Sequence, residues 1–300
     1  MLATFRQIIR LFCIGMAIGI ADLIPGVSGG TFAFAFGIWE RILLTISQLL
    51  GVGGALVRFH FGIGYQRLRE IDWVLVSSVG SGVLCALFLG ASFIGTLFDD
   101  HQEATRGFFL GIVVGCLPVP FRLVSSWTPR KISLLIGSLL LIFILSGIPD
   151  REVEDPHLAV LFVASIGSIC ATILPGLSGS FLLLVFGLYD VFIDAVRERN
   201  LVIWAVFAAG AWIGMFLFSS GIRWVLNRYY EYVMAVILGL MIGGLRVLWP
   251  WIDDTRDLVL PADMNTIGLI PLWGVLGISA SFFLVRLLGR RTEPVSEHRR

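Results

Sequence analysis

The sequence predicts an all-α polytopic membrane protein. Each half contributes a broken helical hairpin, read as re-entrant, followed by three transmembrane helices, with the second half inverted relative to the first. Three observations predict this. Hydrophobic residues fill 57% of the 300 positions and charged residues only 14%, with a mean hydropathy of +0.91, which is far more apolar than a soluble domain. Apolar runs long enough to cross a hydrocarbon core of about 30 Å recur along the chain. One long motif also occurs twice, as DLIPGVSGGTFAFAFGIWE from Asp22 to Glu40 and as TILPGLSGSFLLLVFGLYD from Thr172 to Asp190.

Taken in order, the uninterrupted runs lie near 73–97, 106–121, 132–148, 201–222, 232–249 and 267–288. Two further apolar regions, 8–47 and 158–195, are each interrupted midway by Pro-Gly-x-Ser-Gly, and these are the hairpins. They match at a constant offset of 150: Pro25 with Pro175, Gly26 with Gly176, Ser28 with Ser178, Gly37 with Gly187, and Glu40 with Asp190. A fainter echo at offset 128 pairs Gly82 with Gly210, Gly111 with Gly239 and Gly115 with Gly243. The chain therefore divides into repeats at 1–150 and 151–300 that together make one transport domain. The small-residue pairs Gly15/Gly19, Gly111/Gly115, Gly210/Gly214 and Gly239/Gly243 read as close helix packing.

Orientation follows from loop charge, because Lys and Arg favour the cytoplasmic side. Basic loops carrying Arg58, Arg67 and Arg69, then Arg122, Arg130 and Lys131, then Arg223 and Arg228, alternate with acidic ones carrying Asp99, Asp100 and Glu103, then Asp150 to Asp155, then Asp253, Asp254 and Asp257. Both termini are expected in the cytoplasm. Three spans separate the hairpins, so the second enters from the opposite face. Arg197 and Arg199 dissent from the rule.

Several classes are excluded or disfavoured. Cationic residues are scattered rather than gathered into a patch, which argues against nucleic acid. Cys13, Cys85, Cys116 and Cys170 form no CxxC pair and no histidine stands at ligand spacing, so they read as packing residues, with no metal and no cofactor implied. Arg6 and Arg10 before an apolar run resemble a signal peptide, but no small-residue cleavage site follows, and the segment is expected to belong to the mature fold.

A helix broken inside a bilayer strands backbone N–H and C=O groups, which is tolerable only where they are buried in protein or line a cavity. Pro25, Gly26, Pro175 and Gly176 are the expected breaks. The glycines after them allow close, side-chain-free approach, and the start of each second arm offers N–H donors suited to an anion, phosphate above all. Ser28, Gly29, Gly30 and Thr31 in one copy, and Ser178, Gly179 and Ser180 in the other, are thus the expected phosphate-binding residues, two half-sites building one pocket. The alternative for either copy taken alone is a tight, closely packing helical turn.

Ionisable residues in apolar context point to function. Asp22, with Thr172 in the matching position, is either a proton-coupling group or a cap on the break. Glu40 and Asp190 are gating or proton-linked candidates, or else ends reaching interfacial water. Arg41 follows Glu40 and is its natural partner. Arg246, just before Trp249 to Trp251, is either a receptor for an incoming phosphate or an interfacial anchor. GVSGG also fits the Gly-x-Ser-x-Gly elbow of hydrolases. A serine nucleophile needs a base, however, and His60, His101, His157 and His298 all fall in expected loops or the tail, so an enzyme is not expected.

The paired ADLIPGVSGGTFAFAFGIWE and LPGLSGSFLLLVFGLYD, with GLMIGGLRVLWPW near the end, resemble the bacterial polyprenyl-phosphate (undecaprenyl-phosphate) translocase family, formerly a domain of unknown function. The resemblance covers nearly the whole chain. Asp22, both Pro-Gly-x-Ser-Gly stretches and Arg246 sit where that family's pattern places them; Trp39 stands where a tyrosine is expected, which Tyr189 supplies in the second half. The resemblance implies a lipid transporter of the bacterial cytoplasmic membrane. Its substrate would be undecaprenyl phosphate, returned from the outer to the inner leaflet for peptidoglycan and surface-polysaccharide synthesis, with the proton as candidate coupling ion. The residues alone reach only an anion carrier, and a channel or transporter for a small soluble anion such as inorganic phosphate is the competing reading.

Overall fold

The computed structural model describes residues 2–24, 26–149, 153, 156–253, 256–259 and 264–289. Among these the chain is helical, with no strand beyond a single bridge between Ile252 and Leu258. The expected repeat boundary at 150/151 and Pro25 lie outside the described residues.

The first hairpin is built from α1 (Leu2–Asp22), α2 (Gly29–Ala35) and α3 (Trp39–Val57), the second from α9 (Leu158–Ile173), α10 (Gly179–Val185) and α11 (Tyr189–Glu198). Between them come α4 (Phe61–Glu70), α5 (Trp73–Asp100), α6 (Gln102–Cys116), α7 (Pro118–Arg122) and α8 (Pro129–Leu145). After them come α12 (Leu201–Gly244), a 3-10 turn at Leu245–Leu248 and α13 (Met264–Leu288).

Each hairpin breaks twice, where the motif led us to expect one break. The first break holds Gly26 at φ +86° and Gly176 at φ +90°, and the second holds Gly37 at φ +71° and Gly187 at φ +70°. An L side chain is strained in this left-handed region. The intervening α2 and α10 have seven residues each, about 10 Å of helix and a third of the hydrocarbon depth. Across the second break α2 and α3 are bent by 117°. The local backbone is the same in both copies: Ser28 at φ −112°, ψ 125° matches Ser178 at φ −105°, ψ 130°.

Among the described residues four helical stretches are long and apolar enough to cross a membrane: Trp73–Gly90, Gln102–Arg122, Leu201–Leu248 and Leu269–Leu288. The bent α2–α3 pair makes a fifth if it is one span. This is a multi-pass membrane protein. The runs 201–222 and 232–249, expected as two spans, are two helices that meet at a kink at non-helical Tyr229 with no loop between them, together making up α12. Residues 222–238 contain no glycine or proline, so the sequence marks no loop between the two parts. Past the kink, Glu231 accepts a hydrogen bond from Ser125 at 2.6 Å and pairs with buried Lys131, tying α12 to the start of α8.

Packing partners cross between the halves. α1 lies along α5 and α9 along the first part of α12, but α6 pairs with α13 and α8 with the last part of α12. The small residues explain the closeness: a Cβ on Gly111 would stand 2.0 Å from the carbonyl oxygen of Gly274, and one on Gly239 would stand 2.2 Å from that of Leu135. The core runs through Leu11, Ile14, Ala21, Met234 and Ile237, all fully buried, while Phe88, Leu89 and Phe283 face outward, as lipid-facing side chains do.

Candidate functional site

The two hairpins meet at their breaks. The Trp39 indole donates to the Ile173 carbonyl at 2.8 Å, the Ser28 hydroxyl reaches the Leu174 carbonyl at 3.5 Å, and Thr31 Oγ1 accepts from the Gly176 N–H at 2.9 Å. The polar groups of the first hairpin therefore satisfy backbone stranded by the break after α9, which a membrane interior requires. Ser28, Gly29 and Thr31 are buried in this arrangement, and Gly30 is pressed close to the carbonyls of Thr172 and Leu174.

Asp22 acts as a cap: its Oδ1 accepts the Gly29 N–H at 2.7 Å. A carboxylate thus already occupies the start of α2, where a phosphate was expected. Thr172, in the matching position, donates instead to Ser168 O of its own helix at 2.9 Å. The second hairpin leaves its hydroxyls open. Ser178 and Ser180 share a hydrogen bond of 2.8 Å, and Ser180 is exposed.

Beside this junction lies a polar cavity of about 470 Å³ whose lining includes Asp22, Arg106, Ser146, Ser180, Tyr189 and Arg256. Both hairpins contribute, together with the first turns of α6, the end of α8 and the loop after the 3-10 turn. Of the expected binding residues, Ser180 lines this cavity, as does Gly26, an expected helix break. Arg256 lies 5.6 Å over the ring of Phe181. Arg106 makes no side-chain hydrogen bond or ion pair to any described residue. A half-buried guanidinium without a protein partner is free to take an anion that enters the cavity.

The remaining candidates sit elsewhere. Arg246 donates to the Arg256 carbonyl at 3.0 Å, stacks 4.7 Å over Phe143 and lies 4.0 Å from the Asp257 carboxylate, bracing Arg256 and Asp257. Arg41 does not pair with Glu40: it reaches Asp72 at 2.6 Å, because Asp72 caps α5 by accepting the Leu75 N–H and presents its second oxygen to the guanidinium. Glu40 faces the Tyr230 hydroxyl, and Asp190 is exposed. Pro175 and Gly176 form the turn before Ser178, with Gly176 against the backbone of Met241. Among the described residues no three ligating side chains gather as a metal would require.

Arg106 and Arg256 were not singled out from the sequence, although a signal was there. Both stand on the acidic side of the charge pattern, in HQEATRG and DDTRD, and a basic residue that breaks the positive-inside rule needs a reason.

Comparison with known proteins bears on what this cavity is for. The family model described as undecaprenyl phosphate translocase-like matches residues 18–263. A protein of Vibrio cholerae named polyprenyl-phosphate transporter is 31% identical over 238 residues, 79% of this chain and 76% of that relative. One of Staphylococcus aureus with the same name is 26% identical over 253 residues, 79% of this chain and 84% of the relative. No solved structure matches the chain significantly.

Proposed function

Since the chain belongs to the undecaprenyl phosphate translocase-like family, we propose that it is a transporter, not an enzyme, that carries a polyprenyl phosphate such as undecaprenyl phosphate between the leaflets of the bacterial cytoplasmic membrane. The net direction is outer to inner, which returns the spent lipid carrier to peptidoglycan and surface-polysaccharide synthesis. The observation that carries this reading is Arg106, which makes no hydrogen bond or ion pair to a described residue and lines a cavity between two broken hairpins. A phosphate headgroup cannot cross hydrocarbon unaided, whereas its isoprenoid chain is at home there, so the protein has only to supply a route for the charge.

The headgroup enters from outside, where Arg106 and Arg256 supply charge-assisted donors and Ser178 and Ser180 add hydroxyls that serve either protonation state of the phosphate. The repeats 1–150 and 151–300 are inverted and their hairpins re-entrant, so rocking one against the other passes the headgroup to Ser28, Gly29, Gly30 and Thr31. That step must break the Thr31–Gly176 and Trp39–Ile173 contacts, freeing the buried hydroxyls. Arg246 holds the outer loop in place for capture. Asp22, at the cavity wall, takes up or releases the coupling proton as the headgroup passes, and Glu40, Arg41 and Asp190 work the gate at the ends of the second arms. Both termini are cytoplasmic.

The test is flipping of a labelled polyprenyl phosphate in proteoliposomes, with inorganic phosphate uptake measured in parallel. Arg106→Gln should cut headgroup affinity at least about tenfold, the value of one charge-assisted contact, with the thermal midpoint unchanged. Unaltered flipping by Arg106→Gln removes the residue from the mechanism. Transport of inorganic phosphate without lipid replaces the reading with a soluble-anion transporter.

A further inference from the structure

The polar cavity explains how the protein holds a headgroup and leaves the isoprenoid chain unplaced. Two apolar clefts border it. The larger, about 980 Å³ between α1, α5, α6 and α13, shares only Gln102 with the cavity, and its rim carries Asp100 and Glu103. The smaller, about 470 Å³ between α9, α10, α11 and α12, shares Ser180 and Tyr189 with it. We infer that the smaller cleft is a binding site for the first isoprene units of the lipid, entered past Ser180 and Tyr189; this rests on the headgroup reading above.

Four features favour it. Among the described residues none of the lining side chains is charged; Leu183, Phe192, Trp204 and Phe207 supply an apolar, largely aromatic wall. Its hydroxyls other than Ser180 and Tyr189 are occupied: Ser165 donates to the Phe162 carbonyl at 2.7 Å and Ser168 to the Gly179 carbonyl at 2.9 Å, so they present no unmet polar demand to a hydrocarbon chain. Ala208 and Ala211, three residues apart on α12, line one side, and their small size is what leaves the space. The cleft also faces outward: Ala208 and Trp204 are exposed, so a chain seated here continues into the bilayer without crossing protein. The larger cleft by contrast touches the cavity only at Gln102 and is lined by two carboxylates, Asp100 and Glu103.

Space of this size suits a small-molecule-sized group, so the cleft holds the headgroup-proximal units and the rest of the chain lies in lipid. Affinity should therefore rise over the first few isoprene units and then level off.

The experiment measures binding of inorganic phosphate and of a series of polyprenyl phosphates, from two isoprene units upward, to the full-length protein in detergent. Ala208→Trp fills the cleft from its exposed side, Ala211→Leu fills it from within by less, and Ala104→Trp obstructs the larger cleft. Ala208→Trp should lose about tenfold in affinity for the long-chain lipid, as expected when buried isoprene carbons are displaced, with inorganic phosphate affinity unchanged. Ala211→Leu should lose less, and Ala104→Trp should behave as wild type. The inference is overturned if both fillings leave long-chain affinity intact, if Ala104→Trp causes the loss instead, or if wild-type affinity ignores chain length. A wild-type protein that binds inorganic phosphate but no polyprenyl phosphate overturns the lipid reading itself, a result distinct from these.

Discussion

In the first hairpin Ser28 and Thr31 are 4% and 2% exposed and Phe36 is 1% exposed, whereas in the second Ser180 is open to the cavity and Phe186 is 50% exposed. The backbones of the two copies are nearly superimposable in dihedral terms, so conformation does not explain the difference. Neighbours do. Trp39 turns its indole onto the end of α9, while Tyr189 at the matching position lines both the polar cavity and the apolar cleft. Asp22 occupies the start of α2, whereas Thr172 bonds back to its own helix. One copy is shut by packing and the other is available. In a carrier built from two half-sites this is what a conformation open to one side requires, its counterpart being reached when the packed and open copies exchange roles.

The largest expected effect tests whether the two breaks are equally constrained. A Cβ on Gly176 would stand 2.6 Å from the backbone nitrogen of Met241, whereas one on Gly26 would meet the Val247 side chain at 2.3 Å. Both alanines suffer left-handed strain of about 1–2 kcal/mol. Only the Gly26 clash can be relieved by a neighbouring side chain. Gly176→Ala should therefore abolish recoverable folded protein on size-exclusion chromatography, while Gly26→Ala should be milder and partly restored by Val247→Ala. Equal damage from the two, with no recovery, would mean the breaks are held alike.

A smaller effect separates binding from transport. Ser180→Ala should weaken headgroup binding by about fivefold, the value of one hydrogen bond near 1 kcal/mol, whereas Ser28→Ala should leave binding unchanged and slow flipping. If Ser28→Ala weakens equilibrium binding as much as Ser180→Ala does, the first hairpin is not closed in the resting protein.

The smallest effect concerns the tether on the packed copy. Arg41 joins the start of α3 to Asp72, and Val191 stands at the matching position of the second copy. Burial raises the pKa of Asp72, but the Arg41 hydrogen bond, the Leu75 N–H and the Arg41 charge together outweigh it, so the carboxyl titrates below its ordinary value. A lowered folded-state pKa means the unfolded chain takes up the proton first as pH falls. The stabilisation is therefore complete above about pH 4, the ordinary aspartate value, and disappears as pH falls through the lower folded value. Asp72→Asn should cost no more than about 1 kcal/mol, because the pair is partly exposed. Thermal midpoints of wild type and variant should differ at neutral pH and converge in acid; a constant gap would assign the loss to the α5 cap instead.

Most of the fold was legible because a bilayer leaves few choices. Apolar length marks helices, and an exact 150-residue offset marks the duplicated hairpin. The second break could have been read from Gly37 and Gly187, which match as closely as the Pro-Gly pairs. The direct succession of the two parts of α12, which meet at Tyr229 without a loop, could have been read from the absence of glycine and proline in residues 222–238. The site was less legible. Ser28 and Ser178 are indistinguishable in sequence, and both were expected to face the ligand. Arg106 was hidden at the edge of a span, and Arg246 stood out but braces a loop.

The sequence by itself determined the helical membrane architecture, the two broken hairpins and the residue types available to hold a phosphate, since these depend on local backbone chemistry and on hydropathy, which act over a few turns of helix. Only the tertiary structure decided which hairpin is open, that Asp22 caps the packed one, that Arg106 faces the cavity without a partner, and which apolar cleft adjoins it. Those outcomes depend on contacts between residues more than a hundred positions apart, such as Trp39 with Ile173 and Thr31 with Gly176, and identical local motifs acquire different roles there because different neighbours satisfy their hydrogen bonds.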